Sequence, residues 1–273
     1  MSAAADFDLE LRLLLEAVYQ KYQHDFRHYA LSSLRRRIRQ AMARFGCETV
    51  SNLQSRVLHE PDVFAGMLQY FTVQVSEMFR DPPYFAALRE KVLPMLATYP
   101  YFKVWVAGCA TGEEAWSFAI MLREEGLLER SLIYATDINP EALRVAEAGI
   151  YGLDRIAGFS SNYLKAGGRA SLAEYYTAAY GNARFDKRLK ASIAFSDHSL
   201  ATDTVFSEVE LVSCRNVLIY FDRELQGRAI GLFHEALAPR GFLGIGSKET
   251  LRYSPHAHAF TEFQREERIY RKQ

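Results

Sequence analysis

The spacing of apolar residues divides the chain into a helical part before residue 100 and a mixed part after it. The run near His28–Phe45 carries apolar residues four, four and three positions apart, which is the period of one helix face. Gly46 follows this run and is a typical helix stop. An apolar face between residues 9 and 18 predicts an earlier helix. Ser51–Gln54 fits a capping box that would open a third helix, and Pro61 can begin a fourth.

From residue 102 onward, short β-rich runs alternate with runs of helical character. This alternation is typical of a parallel α/β sheet, in which ligands bind at the carboxyl ends of the strands. The predicted strands are Phe102–Ala107, Ser131–Thr136, Ala191–Phe195, Glu210–Ser213 and Phe242–Gly246. The predicted helices between them are Glu113–Glu125, Pro140–Ala148 and Arg223–Ala238.

The predicted fold class is therefore α/β, with an all-helical domain at the N-terminus. We place the helical domain at residues 1–82, a linker helix at 83–98 and the α/β domain at 99–273. Residues at about 160–193 interrupt the strand–helix alternation and predict a small inserted β subdomain. Apolar residues make up 49% of the chain, which is enough for a sizeable core.

The bulk charge of the chain gives no sign of a nucleic-acid or membrane partner. Its 273 residues include 33 basic and 33 acidic side chains, so no net field attracts a polyanion. The N-terminus lacks the pattern of a signal peptide, and no uncharged apolar run approaches the roughly 20 residues of a membrane helix. Three widely spaced cysteines argue against a disulfide framework or a zinc site. We expect a cytoplasmic protein without a metal.

A glycine turn follows the first predicted strand and leads into a helix that begins with two acids. Gly108 and Gly112 bracket the turn, and Glu113 and Glu114 follow it. Such turns bind phosphate when the helix N-terminus is cationic or neutral, but two carboxylates would repel phosphate. S-adenosylmethionine fits instead, since it carries an ammonium group, a ribose and a sulfonium but no phosphate. In the alternative interpretation, both acids only favour the helix dipole.

An acid also ends the second predicted strand. Asp137 lies 25 residues after Gly112, and an acid in this position commonly binds ribose hydroxyls. The alternative is that Asp137 or Asn139 caps the next helix ahead of Pro140. Both roles can coexist on neighbouring residues.

The segment Cys214–Asp222 follows the fourth predicted strand and reads C-R-N-V-L-I-Y-F-D. Its aliphatic residues and Phe221 suit a core. Arg215, Asn216 and Tyr220 are harder to explain in that way, and their position at a strand end points to a ligand site.

Together these motifs resemble the CheR family of chemotaxis receptor methyltransferases. The resemblance covers nearly the whole chain and depends on five motifs in the same order, which is far more specific than a lone glycine turn. The matching segments are Glu77–Pro82, Gly108–Glu114, Ala135–Ile138 with Ala148–Tyr151 after it, Cys214–Asp222 and Gly241–Glu249.

The resemblance implies a class I, Rossmann-like methyltransferase domain behind a helical domain, with a small β subdomain inserted. It implies methyl transfer from S-adenosylmethionine to glutamate side chains of chemoreceptors, which yields methyl esters and S-adenosylhomocysteine. The expected partner is a chemoreceptor cytoplasmic domain or a related signalling protein, and the expected state is a monomer.

The resemblance also implies roles for particular residues. Arg80 would hold the substrate carboxylate and Tyr220 would lie near the sulfonium, so both are predicted to be catalytic. Glu114 would meet the ammonium group and Asp137 the ribose. Arg215 and Asn216 would line the adenosine pocket. The predicted cofactor-binding residues are Gln74, Ser76, Arg80, Gly108, Glu114, Asp137, Ser199, Leu200, Arg215 and Asn216.

Some positions depart from the family pattern. Gln74 and Ser76 stand where an Asn-x-Thr motif is usual, and Ser199 stands where an asparagine is usual. Serine lacks the two-sided amide that can read an adenine edge. These departures leave a second function open, a non-catalytic or cofactor-sensing signalling adaptor. The arginine-rich second helix leaves a third open, an RNA or small-molecule methyltransferase.

The second predicted helix carries a run of arginines, of which Arg35, Arg36 and Arg39 share one side. They predict a docking surface for an acidic partner; the alternative is a solvated helix face. Nucleic acid is not expected, because the net charge is zero and no aromatic stacking platform is evident. Insertion into a membrane is not expected either.

Overall fold

The computed structural model describes residues 3–72 and 76–273. Four helices form the N-terminal part and enclose an apolar core of their own. Their bounds are α1 Ala3–Tyr22, α2 Leu31–Phe45, α3 Val50–His59 and α4 Pro61–Phe71.

The ends of these helices follow local chemistry. Gly46 ends α2 in the left-handed region at φ +64°, as predicted, and Pro61 begins α4. The capping box expected at Ser51–Gln54 is wrong. The cap is Thr49, whose backbone is extended and whose hydroxyl accepts from the Asn52 amide at 3.1 Å.

A helical segment then leads into the α/β part. It comprises α5 Pro82–Ala87, a widened π-helical turn at Leu88–Val92, and α6 Leu93–Leu96. The buried side chains of this segment share an apolar cluster with Phe102 and Val104 of the first strand. Their packing therefore joins it to the sheet.

The remaining elements alternate along most of the chain. The strands are β1 Phe102–Ala107, β2 Ser131–Asp137, β3 Ile150–Gly152, β4 Tyr176–Ala179, β5 Asn182–Phe185, β6 Ile193–Asp197, β7 Val209–Cys214, β8 Leu237–Ile245, β9 Phe260–Gln264 and β10 Ile269–Lys272. The helices are α7 Glu113–Glu124, α8 Pro140–Ala148, α9 Leu153–Lys165, α10 Lys187–Lys190 and α11 Arg223–Ala236.

The main sheet has the order β6-β2-β1-β7-β8-β10-β9. The first five strands in this order are parallel, and β10 and β9 continue the sheet in antiparallel pairing. The predicted α/β class is confirmed. Because the strands run the same way, the chain leaves β1, β2, β6 and β7 at one edge of the sheet, where the predicted motifs meet.

A second, smaller sheet has the order β3-β5-β4 and is antiparallel throughout. Its first strand begins at Ile150, whereas the inserted subdomain was expected to begin at about 160. The strand was not recognised because it has three residues and pairs with Asn182–Arg184, far along the chain. Helix α9 follows it directly.

No helix within residues 3–72 and 76–273 combines the length and the apolar character that crossing a membrane requires.

Candidate active-site cleft

A cleft lies at the carboxyl ends of the parallel strands. The residues predicted to form the site meet there, except Gln74, which falls outside the described residues. The predicted residues that line the cleft are Ser76, Arg80, Gly108, Glu114, Asp137, Ser199, Leu200, Arg215, Asn216 and Tyr220.

The glycine turn is shaped by close packing as well as by backbone angles. Gly108 has φ +72°, and a Cβ atom there would lie 2.5 Å from Cγ2 of Val217. Gly112 has φ +90°, and its Cβ would lie 2.6 Å from the Cβ of Ala146. Only glycine satisfies both conditions. The turn therefore leaves bare backbone in the wall of the cleft, where a ligand can approach closely.

Asp137 anchors the glycine turn at the end of β2. Its Oδ2 accepts from the Ala110 amide at 2.8 Å and its Oδ1 from the Asn139 amide at 2.9 Å. Burial raises the pKa of this carboxyl. The cap of α8 is Asn139, whose side chain accepts from the Glu141 amide at 3.0 Å. Each carboxylate oxygen of Asp137 can accept a second bond, so the anchoring leaves capacity for a hydroxyl in the cleft.

The two acids of the opening motif have different surroundings. Glu113 is fully buried, accepts from the Thr111 hydroxyl, and pairs with Arg155 of α9 at 2.8 Å. Glu114 faces the cleft, and its Oε1 accepts from the Ser213 hydroxyl at 2.6 Å. Glu113 therefore ties the turn to α9, and Glu114 is the acid available to a ligand.

Arg215 connects three parts of the cleft. Its side chain is 1% exposed, and its Nη2 lies 2.6 Å from Oδ2 of Asp81, while its Nη1 lies 3.3 Å from Oε2 of Glu114. Nη1 also donates to the carbonyl oxygen of Arg80 at 3.0 Å. The role of Arg215 in the adenosine pocket stays a prediction. Its guanidinium pairs with two carboxylates, as a buried cation requires.

Arg80 lies in a tightly constrained turn. Phe79 and Asp81 on either side have φ of +51° and +55°, and the Phe79 amide donates to the Ser117 hydroxyl of α7 at 2.8 Å. The Arg80 backbone is held by Arg215. Within the described part of the chain, the Arg80 guanidinium has no hydrogen-bond or ion-pair partner, although the residue lines the cleft.

Arg37, which was not predicted as a site residue, lies against the ring of Tyr220. Arg37 is 3% exposed, and its guanidinium carbon lies 4.5 Å from the Tyr220 ring centroid. Its Nη1 donates to the carbonyl oxygen of Phe71, and its Nη2 has no partner among the described residues. The helical period contained the signal, since Arg37 lies on the buried face of α2 with Leu34 and Ile38.

The other arginines of α2 face outward to different degrees. Arg35 pairs with Asp8 of α1, with Nε–Oδ1 and Nη2–Oδ2 distances of 2.7 and 2.5 Å. Arg36 is exposed, and exposed Arg39 lies over the Phe7 ring at 4.9 Å from its centroid. The docking role of these arginines stays a prediction. The charge of Arg35 is already partly neutralised by Asp8.

Glu249 was also missed as a site residue, although its segment was recognised. Its buried carboxylate accepts from the amides of Gly246 at 2.5 Å, Asn216 at 3.1 Å and Ile219 at 3.3 Å. Burial raises the pKa of this carboxyl. Asn216 has φ +61°, so Glu249 stabilises a strained loop that carries Asn216 and Tyr220 into the cleft.

The groups that line the cleft match the chemical groups of S-adenosylmethionine. Bare backbone at Gly108 makes room for the ligand, Asp137 offers carboxylate oxygens to hydroxyls, and Glu114 offers them to an ammonium group. Ile138 and Leu200 supply apolar walls for a base.

Two family models match consecutive parts of the chain. The all-alpha domain of CheR methyltransferases matches residues 9–72, and the S-adenosylmethionine-binding domain of the same family matches residues 74–267.

Individual relatives agree with these models. A Pseudomonas putida protein described as the candidate methyltransferase Cher3 is 57% identical over 272 residues, which is 100% of both chains. A chemotaxis protein methyltransferase of Listeria monocytogenes is 32% identical over 189 residues, covering 67% of this chain and 68% of the relative. One of Vibrio anguillarum is 27% identical over 230 residues, covering 80% of each. The chain belongs to the CheR family of S-adenosylmethionine-dependent methyltransferases.

Proposed function

We propose that this protein methylates glutamate side chains of chemoreceptor signalling domains, giving glutamyl methyl esters. The observation that carries the proposal is that Arg80 lines the cleft and that its guanidinium has no hydrogen-bond or ion-pair partner among the described residues. A planar guanidinium matches a carboxylate through two parallel hydrogen bonds. The acceptor class that best completes this site is therefore a carboxylate.

A carboxylate acceptor also explains why the proposed reaction needs no general base. Glutamate titrates near about 4.3 in model peptides, so the acceptor is already an anion at neutral pH. S-adenosylmethionine supplies a methyl group on a cationic sulfur. The carboxylate oxygen forms the new bond to that carbon, the S–C bond breaks, and its electron pair stays on sulfur. No proton moves, so orientation is the main requirement of the site.

The surrounding residues provide that orientation. Arg215 binds the Arg80 backbone and the Glu114 carboxylate through one guanidinium. One side chain therefore positions both the residue proposed to bind the acceptor and the residue proposed to bind the cofactor. Tyr220 offers a ring face, which attracts a sulfonium by its quadrupole, and the Arg37 guanidinium contacts that ring. In this arrangement Arg80 positions the carboxylate and does not bury it, because full neutralisation would weaken the nucleophile.

The partner is proposed from family membership and from charge. The curated relatives from Listeria and Vibrio are named chemotaxis protein methyltransferases, and exposed Arg36 and Arg39 offer cations to an acidic helical surface. A receptor signalling domain of this kind lies in the cytoplasm, where we place the protein.

The test uses the purified full chain, S-adenosylmethionine labelled on the methyl group, and a panel of purified chemoreceptor cytoplasmic fragments. The expected result is labelled receptor that releases labelled methanol in mild base, as a carboxyl methyl ester does. Base-stable label would contradict the proposal and indicate methylation of nitrogen. Label found only in RNA or in small molecules would contradict it as well. Tight cofactor binding with no transfer to any fragment would favour the adaptor.

A further inference from the structure

A second cavity, which we call the C-terminal pocket, lies at the antiparallel edge of the main sheet. It is lined by residues of the segment 250–257 and of strands β9 and β10 with the turn that joins them. Its volume of about 510 Å³ is within the roughly 300–1,000 Å³ of small-molecule sites. It shares no lining residue with the active-site cleft. Any ligand of this pocket is therefore separate from the cofactor.

The charged side chains of the pocket are mostly cationic. Arg252, Arg265 and Arg268 line it together with one carboxylate, that of Glu262. Nε of Arg265 lies 3.8 Å from Oε2 of Glu262, and both side chains are largely exposed, so this pair neutralises little. Arg268 is half-buried, and its guanidinium has no hydrogen-bond, ion-pair or ring partner within residues 3–72 and 76–273. A partly desolvated cation is stabilised by an opposite charge, so the pocket favours an anionic ligand.

The pocket also offers surfaces for a flat ring. Leu251 and Tyr270 contribute buried apolar walls, and Tyr253 is 66% exposed. The guanidinium carbons of Arg223 and Arg252 lie 5.4 and 5.9 Å from the Tyr253 ring centroid. Aromatic rings and guanidinium planes both stack on nucleobases, and guanidinium groups match phosphate oxygens through paired hydrogen bonds. A molecule with a base and several phosphate charges fits this combination.

Backbone bonds connect the pocket to the cleft through the turn at Gly246–Glu249. Thr250 of the pocket directly follows Glu249, whose carboxylate accepts from the Asn216 amide in the cleft loop. On the other side, the Arg268 carbonyl accepts from the amide of Ile245, which directly precedes the turn. A ligand that bridges the segment after Glu249 and Arg268 would therefore stabilise the turn that holds the cleft loop.

We propose that the C-terminal pocket binds a nucleotide, with its base against Tyr253 and its phosphates at Arg252 and Arg268, and that the bound nucleotide strengthens cofactor binding in the cleft. S-adenosylmethionine carries no phosphate, so the pocket recognises a different molecule from the cofactor. The inference is independent of the methyl acceptor, because both of its parts are measured by binding alone.

The first test is calorimetric titration of the full chain with ATP and with GTP. The cleft is saturated with S-adenosylhomocysteine, which prevents the adenosine part of ATP from entering it. At least one nucleotide should bind at one site, about tenfold more tightly than inorganic tripolyphosphate or its own nucleoside. Equal affinity for tripolyphosphate would overturn the proposal, since it would show attraction of anions without a base. Binding of a polyglutamate peptide without binding of either nucleotide would overturn it in favour of an acidic protein partner.

Two pairs of variants assign the parts of the ligand. Arg268→Met should weaken binding of both the nucleotide and tripolyphosphate about tenfold. Its control is Arg240→Met, because Arg240 is an exposed arginine with a similar positive φ, +65° against +54°, outside the pocket. Tyr253→Leu should weaken only the nucleotide, about fivefold, and fully exposed Tyr180→Leu should change neither affinity. Nucleotide binding that is unchanged in Arg268→Met would overturn the assignment.

The second test measures the coupling between the two sites. The Kd of S-adenosylhomocysteine should fall about fivefold when the nucleotide is saturating, and the Kd of the nucleotide should fall by the same factor when S-adenosylhomocysteine is saturating. Arg268→Met should abolish this effect at the same nucleotide concentration, whereas Arg240→Met should retain it. An affinity for S-adenosylhomocysteine that is unchanged or weakened by the nucleotide would overturn the coupling.

Discussion

The guanidinium carbon of Arg37 lies 4.5 Å from the ring centroid of Tyr220, so a side chain of the helical domain supports the wall of the cleft. Backbone bonds reinforce the contact, since the Ala30 amide donates to the Tyr220 carbonyl and the Asp222 amide to the His28 carbonyl, both at 2.8 Å. The helical domain therefore contributes to the wall of the cleft.

Replacing Arg37 should lower the rate of transfer more than it lowers cofactor affinity. Arg37→Met fills the same space without the cation, so Tyr220 loses its support. We expect kcat to fall about tenfold while the Kd of S-adenosylhomocysteine stays within about twofold. Steady-state kinetics and calorimetry on the same preparation measure both.

Arg44→Met is the matched control for Arg37, because Arg44 is exposed near the end of the same helix. Its kcat should equal that of the native protein. An unchanged kcat in Arg37→Met, with a melting temperature like that of the control, would show that the contact has no part in catalysis.

Arg80 should be required for transfer and dispensable for cofactor binding. Removing a group that orients the acceptor costs on the order of a hundredfold or more, so Arg80→Ala should lose measurable transfer and retain affinity for S-adenosylhomocysteine. Arg240→Ala, outside the cleft wall, is the control. If cofactor affinity collapses together with transfer in Arg80→Ala, Arg80 belongs to the cofactor pocket instead.

Gly108 and Gly126 offer a matched pair of substitutions for the glycine turn. Both have positive φ, at +72° and +68°, but a Cβ at Gly108 would meet Val217 at 2.5 Å, whereas a Cβ at Gly126 would meet nothing within 4 Å. Each alanine costs roughly 1 kcal/mol of backbone strain. Only Gly108→Ala should also displace the Asn216–Tyr220 loop and weaken binding of S-adenosylhomocysteine, by about tenfold or more.

The double variant Gly108→Ala with Val217→Ala provides the check on this explanation. Removing the two valine methyl groups makes room for the new Cβ, so calorimetry should show part of the lost affinity restored. Equal affinities for Gly108→Ala and Gly126→Ala would mean that close packing at the turn does not matter for the ligand.

The exposed arginines of α2 should contribute to partner docking through charge. Arg36→Glu combined with Arg39→Glu should raise KM for a receptor fragment about tenfold at low salt. The difference in KM between this variant and the native protein should become smaller at high salt, because exposed charges are screened. Arg144→Glu on α8, whose side chain is 74% exposed, is the control. If the double charge reversal leaves receptor methylation unchanged, these arginines have no role in docking.

Glu124 should make stability depend on acid pH. It pairs with Arg89 and accepts from the hydroxyls of Tyr163 and Tyr175. Burial alone would raise the pKa of this carboxyl, but hydrogen bonds from Tyr163 and Arg89 outweigh burial and hold the pKa below its ordinary value of 4.5. Its contribution to stability is therefore complete above about pH 4.5 and is lost as the pH falls through the lowered pKa.

Denaturant unfolding of Glu124→Gln tests this dependence. At pH 7 the variant should lose about 3 kcal/mol, because Arg89 is left in a buried site with a weaker partner. The difference from the native protein should shrink as the pH is lowered below about 4.5. Exposed Glu129→Gln should match the native protein at every pH. A difference that is constant with pH would show that the carboxylate charge contributes nothing.

The parts of the fold that were predicted from sequence are those with a local signal. The parallel strands and helices α7, α8 and α11 between them follow from apolar runs bounded by glycine, proline and capping residues, whereas α9 was not predicted. Strands β9 and β10 were not predicted. They are only five and four residues long, and the turn between them, Arg265–Arg268, is entirely charged and uses Arg268 at φ +54° where a glycine would have been recognisable. Their pairing with β8 is a tertiary contact that no short window contains.

The same distinction applies to the cleft. Residues inside motifs, such as Glu114 and Asp137, were found because their spacing is informative. Arg37 and Glu249 were missed because their importance comes from burial and from what each side chain contacts. A charged residue on the buried face of a predicted helix indicates such a role from sequence, and Arg37 is an example. The partners of Arg215 could not be read from sequence, since Asp81 and Glu114 lie far from it along the chain.

The most direct measurement is mass-spectrometric mapping of a receptor fragment after incubation with the protein and S-adenosylmethionine. We predict the mass of one methyl ester on particular glutamates, its removal by mild base, and its absence when those glutamates are replaced by glutamine. Methylation that persists at lysine or arginine, or that survives base, would contradict the account of a carboxylate held in this cleft.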